Sequence, residues 1–254
     1  MDTIIFGNGG LGRAIDAALR DRGVEARVVG RPPGGTHEPE SLGQPGIAIE
    51  ASRADAVRGN IEAALAAGCR RFVIATTGWD DDRAAVEASL ERAGAAAVVA
   101  PNLSLGAAMF FRLVERATDL LGPIEAFEPY LVEWHRRSKR DRPSGTAREL
   151  ARRIVARHPT LSGPADPTTG QRDDDELEIA VIRAGASPGM HLVGFDAPGE
   201  TIELRLTARD RSAYAAGAVA AASWLARSTR APGFHSFDAV VDELLAAPAL
   251  AATA

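Results

Sequence analysis

Residues 2–12, DTIIFGNGGLG, decide how the first part of the chain folds. Asp2 to Phe6 is a short apolar run, and Gly7, Asn8, Gly9, Gly10, Leu11 and Gly12 follow at once. RAIDAALRDRG then repeats apolar residues at helical spacing and stops at Gly23. Strand, glycine turn and helix form the setting in which a G-x-G-x-x-G loop receives a dinucleotide. Its glycines close the turn and let the backbone approach a pyrophosphate at the helix N-terminus. The plain alternative is a tight strand-to-helix turn with no ligand.

Working outward, a second strand is expected over 25–29, and it runs into Gly30 and Arg31. An NAD-preferring domain carries a carboxylate near this point, and there is none here. Arg31 instead suits a 2′-phosphate, which favours NADPH while leaving NADH possible; the bland reading is a solvated loop arginine. The stretch PPGGTHEPESLGQPG reads as loop, with the helix usual at this place missing or very short. Strands follow at 47–50, 71–75 and 95–100, alternating with helices near 53–67 and 82–93. This alternation predicts an α/β fold, a Rossmann-type doubly wound parallel sheet. Ligands of such sheets sit beyond the C-terminal strand ends. The glycine loop, Ala75-Thr76-Thr77-Gly78 and Ala100-Pro101-Asn102-Leu103-Ser104 all fall there. Ordinary turn chemistry uses the same residue types.

After a helix over 105–121 the chain changes character. A strand at 125–134 leads into EWHRRSKRDRPSGTA, Glu133 to Ala147, and a helix then runs to about residue 157. Strands at 176–183, 190–196 and 201–208, joined by short Gly and Pro turns, predict a C-terminal α+β domain with a mixed, mainly antiparallel sheet. A polar loop is expected over 162–175, and two last helices near 212–227 and 237–245, with Ser236 as N-cap. The division expected is 1–106 with 212–254 for dinucleotide binding, and 107–211 for substrate binding and oligomerisation.

Lys139 is the only lysine in a chain that otherwise uses arginine for its cations. Lysine differs from arginine in having a compact charge and a transferable proton. His135 stands four residues before it, and Pro143-Ser144-Gly145-Thr146 after it places Pro143 in the first helical turn, leaving backbone N–H groups for a carboxylate or phosphate. A surface ion pair of Lys139 with Asp141 or Glu133 is the alternative.

At 254 residues and 46% hydrophobic, the chain is long enough for two domains or one large one, with a sizeable core. A net charge of −5 argues against a dedicated nucleic-acid binder. One cysteine, Cys69, excludes an internal disulfide and a Cys-rich metal site, and no metal is expected. With no signal-peptide pattern and no long apolar run, a cytoplasmic protein with no membrane partner is expected.

The 133–147 stretch resembles the signature of bacterial dihydrodipicolinate reductases (4-hydroxy-tetrahydrodipicolinate reductases), Glu-x-His-His-x-x-Lys-x-Asp-x-Pro-Ser-Gly-Thr-Ala. Ala75–Gly78, Ala100–Ser104, Arg183-Ala184-Gly185 with Gly189-Met190-His191, and Arg211 through Trp224 resemble further motifs of that family in order and spacing. The resemblance implies a homotetramer that reduces a small anionic cyclic imine or enamine with NADPH or NADH, in lysine and diaminopimelate synthesis. It puts His135 at the proton donor/acceptor position, Lys139 at the proton donor, and Gly145 and Thr146 at the substrate-binding pair. Ala75–Thr77 and Ala100–Leu103 fall on cofactor loops and Arg31 on the NADP-contacting arginine. Departures are Arg136 for the second histidine, Trp134 for a smaller residue, Leu206 for a histidine, and Ala75 for a glycine. Arg136, with Ser144, still suits an anionic substrate.

Independently of the family, a lysine or histidine beside an anion cradle fits reduction of a C=N or conjugated C=C bond, which leaves charge that needs a proton. A paralogous imine or enamine reductase for another small carboxylate is the second reading, motivated by Arg136 and Trp134. A non-catalytic nucleotide sensor is the third, and it has no need of His135 and Lys139.

Overall fold

The computed structural model describes residues 2–32, 34–165 and 172–246. In chain order the elements are β1 (Thr3–Phe6), α1 (Gly10–Arg20), β2 (Ala26–Val29), α2 (Pro39–Leu42), β3 (Ile47–Glu50), α3 (Val57–Ala66), β4 (Arg71–Ile74), α4 (Arg83–Arg92), β5 (Ala96–Val99) and α5 (Leu105–Leu121). They continue with β6 (Glu128–His135), α6 (Gly145–Val155), β7 (Gly163–Pro164), β8 (Glu176–Arg183), β9 (Met190–Ala197), β10 (Glu200–Thr207), α7 (Ser212–Arg227), β11 (Gly233–Ser236) and α8 (Phe237–Ala246). The chain divides into two compact units, 1–105 with 211–254, and 106–210.

The first unit holds a six-stranded sheet in the order β11-β5-β4-β3-β1-β2, with every pairing parallel. All four residues of β1 and of β3 are buried, as apolar strands covered on both faces must be. One face packs Ile4, Phe6, Ala48, Phe72 and Ile74 against Val57 and Ile61 of α3 and Val86 and Leu90 of α4. α7 lies along β3, β4 and β5 and packs on α1. The order turns outward in opposite directions from β1, so the loops after β1 and β3 part at their C-terminal ends. This topological switch point is where a doubly wound sheet opens a crevice.

The short helix expected between β2 and β3 is the four-residue α2. β11 was absent from the sequence reading, because GFHS has no apolar run; it is an edge strand recruited by pairing with β5. Ser236 accepts a hydrogen bond from Ala239 N at 3.3 Å, as expected of a cap for α8.

The second unit holds a five-stranded mixed sheet, β10-β9-β6-β8-β7. β9 pairs antiparallel with β10 and β6, while β8 pairs parallel with β6 and β7. The short turns suggested that β8 and β9 are neighbours, and this is corrected: β6 lies between them. The 184–189 turn crosses the end of β6 and is tied to it by Ala184 N to His135 O (3.1 Å) and Arg136 N to Ser187 O (2.7 Å). β7 falls inside the stretch read as loop, of which 166–171 lie outside the described residues. α5 and α6 cover one face, where Phe110, Val114, Leu150 and Ile154 meet Leu131, Leu177, Val193 and Phe195. Trp134, Ile182 and Ile202 are exposed.

Gly217 of α7 sits against the Leu103 carbonyl. A Cβ there would come within 2.7 Å of the carbonyl carbon and 3.0 Å of the Phe237 ring, and backbone cannot yield to it. Gly217→Ala is therefore expected to lower unfolding stability by about 1–3 kcal/mol, measured by urea denaturation. An unchanged midpoint would show that α7 shifts freely on the sheet.

Candidate active site

Two sets of residues are assembled, one in each unit. In the first, the loops leaving β1, β3 and β4 enclose a cleft of about 580 Å³, lined by Gly9–Leu11, Ala51–Asp55, Ala75–Thr77 and Arg211. Gly7 adopts φ +106°, which brings its backbone against Ala51. Gly9, the N-cap of α1, supplies no side-chain bond to the helix start, and a Cβ on it would meet nothing within 4 Å. An uncapped helix start with open space before it fits an anionic pyrophosphate. Thr76 is fastened by its hydroxyl to Glu50 Oε1 at 3.1 Å, and the Trp79 indole donates to Thr76 O at 2.8 Å.

Arg31 does not line this cleft. Its Nη1 lies 3.6 Å from Asp55 Oδ2, and Asp55 is held in turn by Arg53 Nε at 3.0 Å. The 100–103 loop is also outside the lining. There Asn102 Oδ1 accepts from Ser104 N at 2.8 Å and closes a turn, while Leu103 is buried. Asn8 is exposed, and Gly12 is buried where α1 crosses Gly7.

In the second unit the alternation of β6 puts Leu131, Glu133 and His135 on its buried face. Leu131 joins the apolar core, and the two polar residues continue the same line toward the strand end. Pairing brings His191 of β9 opposite Glu133 and Arg183 of β8 opposite His135. Glu133 is fully buried. Its Oε1 accepts from Arg183 Nη2 at 2.6 Å and from Ser144 N at 3.0 Å. Its Oε2 makes no hydrogen bond and faces His135 Nε2 at 3.5 Å and His191 Nε2 at 3.6 Å. Ser144 caps α6, accepting from Ala147 N at 3.1 Å, and its hydroxyl lies 3.2 Å from His191 Nε2.

Burial pushes the Glu133 carboxyl up, but His191, Ser144 and Arg183 around it outweigh this and hold the group at about 2. Burial, with the His191 ring beside it, lowers the His135 imidazole to about 4; Glu133 works against this, and Lys139 and Arg183 add to it. His135 is therefore neutral at neutral pH. Its Nδ1 faces the Pro188 carbonyl at 3.3 Å, an acceptor only, so Nδ1 carries the hydrogen and Nε2 is the nitrogen that gains or loses a proton. Gly189 makes room for the ring, since a Cβ there would lie 2.8 Å from His135 Cε1.

Lys139 sits on the turn after β6 and pairs with Asp141, Nζ to Oδ1 at 2.7 Å. Arg136 is exposed and donates through Nε to Ser138 Oγ at 3.2 Å. The structure differs from expectation at the helix start. Pro143 precedes the Ser144 cap instead of lying in the first turn, and Ser144 is turned inward, its N–H and hydroxyl engaged by Glu133, Ala147 and His191. Gly145 is exposed, with open space beside its Cα.

Sequence reasoning missed Arg183, Arg211 and the central place of Glu133. Only the Arg-x-Gly resemblance at 183–185 pointed to the first. Ligand atoms of Glu133, His135 and His191 lie within 4.8 Å of one another, close enough to share a metal ion. Arg183 already neutralises that carboxylate, which disfavours a second cation.

The chain thus joins a Rossmann-type unit with an open glycine loop to a unit whose mixed sheet buries a carboxylate–imidazole cluster, an arrangement suited to a dinucleotide-dependent enzyme. The family model described as dihydrodipicolinate reductase, C-terminus, matches residues 106–241. The chain is 34% identical over 200 residues to a 4-hydroxy-tetrahydrodipicolinate reductase of Methanococcoides burtonii, covering 77% of this chain and 72% of the relative. It is 37% identical over 194 residues to one from Methanopyrus kandleri, covering 75% and 69%. In fold it is similar to the dipicolinate-bound dihydrodipicolinate reductase from Paenisporosarcina sp. TG-14, with a TM-score of 0.67 at 17% identity over 93% of this chain and 97% of that one. The chain belongs to the dihydrodipicolinate reductase family.

A histidine whose folded pKa is about 4, against 6.5 when unfolded, binds fewer protons folded than unfolded between those values. Stability is therefore lost as pH falls through that window. From pH 7 to pH 5 the loss due to His135 should be about 2 kcal/mol. Urea denaturation at the two values should show a smaller loss in His135→Asn; equal losses would refute a buried neutral imidazole.

Proposed function

We propose that the protein reduces a cyclic imino dicarboxylate, dihydrodipicolinate or its hydrate 4-hydroxy-tetrahydrodipicolinate with loss of water, to tetrahydrodipicolinate with NADPH, in lysine and diaminopimelate biosynthesis. The observation that carries the reading is the buried Glu133, gripped at one oxygen by Arg183 and Ser144 and facing two imidazoles with the other, in a member of this reductase family. The first unit binds the cofactor. Gly9, Gly10 and Leu11 receive the pyrophosphate at the start of α1, with Thr76, Thr77 and the 100–103 loop completing the site and Arg31 meeting the 2′-phosphate. The bound nicotinamide supplies hydride.

The second unit handles substrate charge and protons. Gly145 and Thr146 at the start of α6, with Arg136, hold the substrate carboxylates. Lys139, with its compact charge and transferable proton, delivers the proton. Asp141 keeps that ammonium in place until then. His135, neutral at rest, takes a proton from solvent at Nε2, where Glu133 Oε2 stabilises it, and so holds the replacement for the one proton that Lys139 gives up in each turnover. The enzyme is proposed to act in the cytoplasm as a homotetramer, associating through the sheet residues Trp134, Ile182 and Ile202 that the single chain leaves exposed.

The test is oxidation of NADPH, and of NADH in parallel, with substrate generated in situ from pyruvate and aspartate semialdehyde by the preceding synthase. Lys139→Ala should lower kcat by about 100-fold or more with cofactor affinity retained. Equal loss of affinity and turnover would remove Lys139 from the proton-donating role. Arg31→Ala should raise the KM for NADPH about tenfold and leave NADH unchanged; equal effects on both would remove Arg31 from the 2′-phosphate. Light scattering should give four times the 26.6 kDa chain mass, and Trp134→Glu should lower it.

A further inference from the structure

The first unit contains a buried carboxylate that the proposed chemistry does not use. Glu50, the last residue of β3, has no exposed surface. Among the described residues no lysine, arginine or histidine is paired with it. Its carboxyl group is met by neutral partners alone. Oε1 accepts from Ser52 N at 2.8 Å, from the Ser52 hydroxyl, and from the Thr76 hydroxyl at 3.1 Å. Oε2 accepts from Asn60 Nδ2 of α3 at 2.7 Å, and its own carbonyl accepts from Ala75 N at 2.8 Å. Burial pushes the carboxyl up, while the hydrogen bonds from Ser52, Asn60 and Thr76 pull it down. A buried carboxyl group without a cation is costly, and its hydrogen bonds to Ser52, Asn60 and Thr76 offset that cost.

What these bonds do follows from where the donors sit. Ser52 lies on the loop after β3 and Thr76 on the loop after β4, and both line the cofactor cleft at the switch point. One carboxylate oxygen thus joins two rims that are 24 residues apart in sequence. Asn60 is behind the rims, buried on α3 and absent from the cleft lining, and it also donates to the Ser52 hydroxyl at 3.2 Å. A carboxylate at the end of β2 would face the adenosine ribose. Glu50 is one strand further along and its oxygens are occupied by protein, so it acts through Ser52 and Thr76.

We propose that Glu50 is a positioning residue for the dinucleotide, holding the Ser52 and Thr76 loops at the spacing that receives it. This rests on the reading of the first unit as the cofactor site. The experiment begins with fluorescence titration of NADPH and NADH into the wild-type protein. Absence of binding would overturn both the cofactor reading and the role of Glu50. With binding in hand, Glu50→Gln is compared for KM of each cofactor, kcat and melting temperature. The amide cannot accept at both ends, so KM for NADPH and NADH should rise together by about tenfold, with kcat within about threefold of wild type. Asn60→Ala, which removes the hydrogen bonds to Glu50 and Ser52, should raise both KM values by about threefold and decides the matter if Glu50→Gln does not fold. A lowered melting temperature with unchanged cofactor KM in both variants would make Glu50 a fold element only and overturn the proposal. So would a fall in kcat with KM unchanged.

Discussion

The Glu133 carboxylate holds the second unit's site together. It stands on the central strand of the sheet, and each contact it makes recruits a different element: Arg183 from β8, His191 from β9, and the Ser144 cap of α6. Removing one partner from a buried ion pair is typically worth 3–5 kcal/mol, because the other charge is stranded. The position of α6, and with it the Gly145–Thr146 helix start, therefore depends on a charge several residues away in sequence. His135 depends on the same carboxylate, since Oε2 is the group it faces across 3.5 Å.

The two buried glutamates show how environment decides what a carboxylate does. Glu133 has a guanidinium and lies far on the ionised side, at about 2. Glu50 has only hydroxyl, amide and backbone donors, and burial drives its carboxyl upward. The first is a fixed negative charge against which an imidazole can take up a proton. The second is a fastener between loops.

Local patterns were legible in the sequence, and non-local pairings were not. The strand–glycine–helix run at 3–20 and the alternation through β5 follow from periodicity, and the structure has both. β11 was hidden because GFHS becomes a strand only through β5. The insertion of β6 between β8 and β9 was hidden because short turns favour a hairpin, and only the parallel pairing of β6 with β8 overrides that preference. The unusual lysine, His135 and the helix start were visible as a cluster in the chain. Arg183 and His191 lie about 50 residues further on, and only strand register brings them to Glu133. Ser144 was read as facing the substrate, whereas capping and the Glu133 bond turn it inward, a preference that sequence spacing alone does not reveal.

β6 has a hydrogen-bonded neighbour on each side, and the 184–189 turn closes over its end. Amides on such a strand exchange with solvent only in the deepest opening events of the unit, whereas turn amides exchange through small fluctuations. Glu133 and His135 are on the strand, and Lys139 is on the turn beyond it. The two groups proposed to handle protons thus belong to different layers of the unit. The imidazole is as immobile as the sheet itself. Lys139 rides on a turn outside the strand ladder, held to the 184–189 turn by Arg136 N to Ser187 O and Arg137 N to Gly185 O.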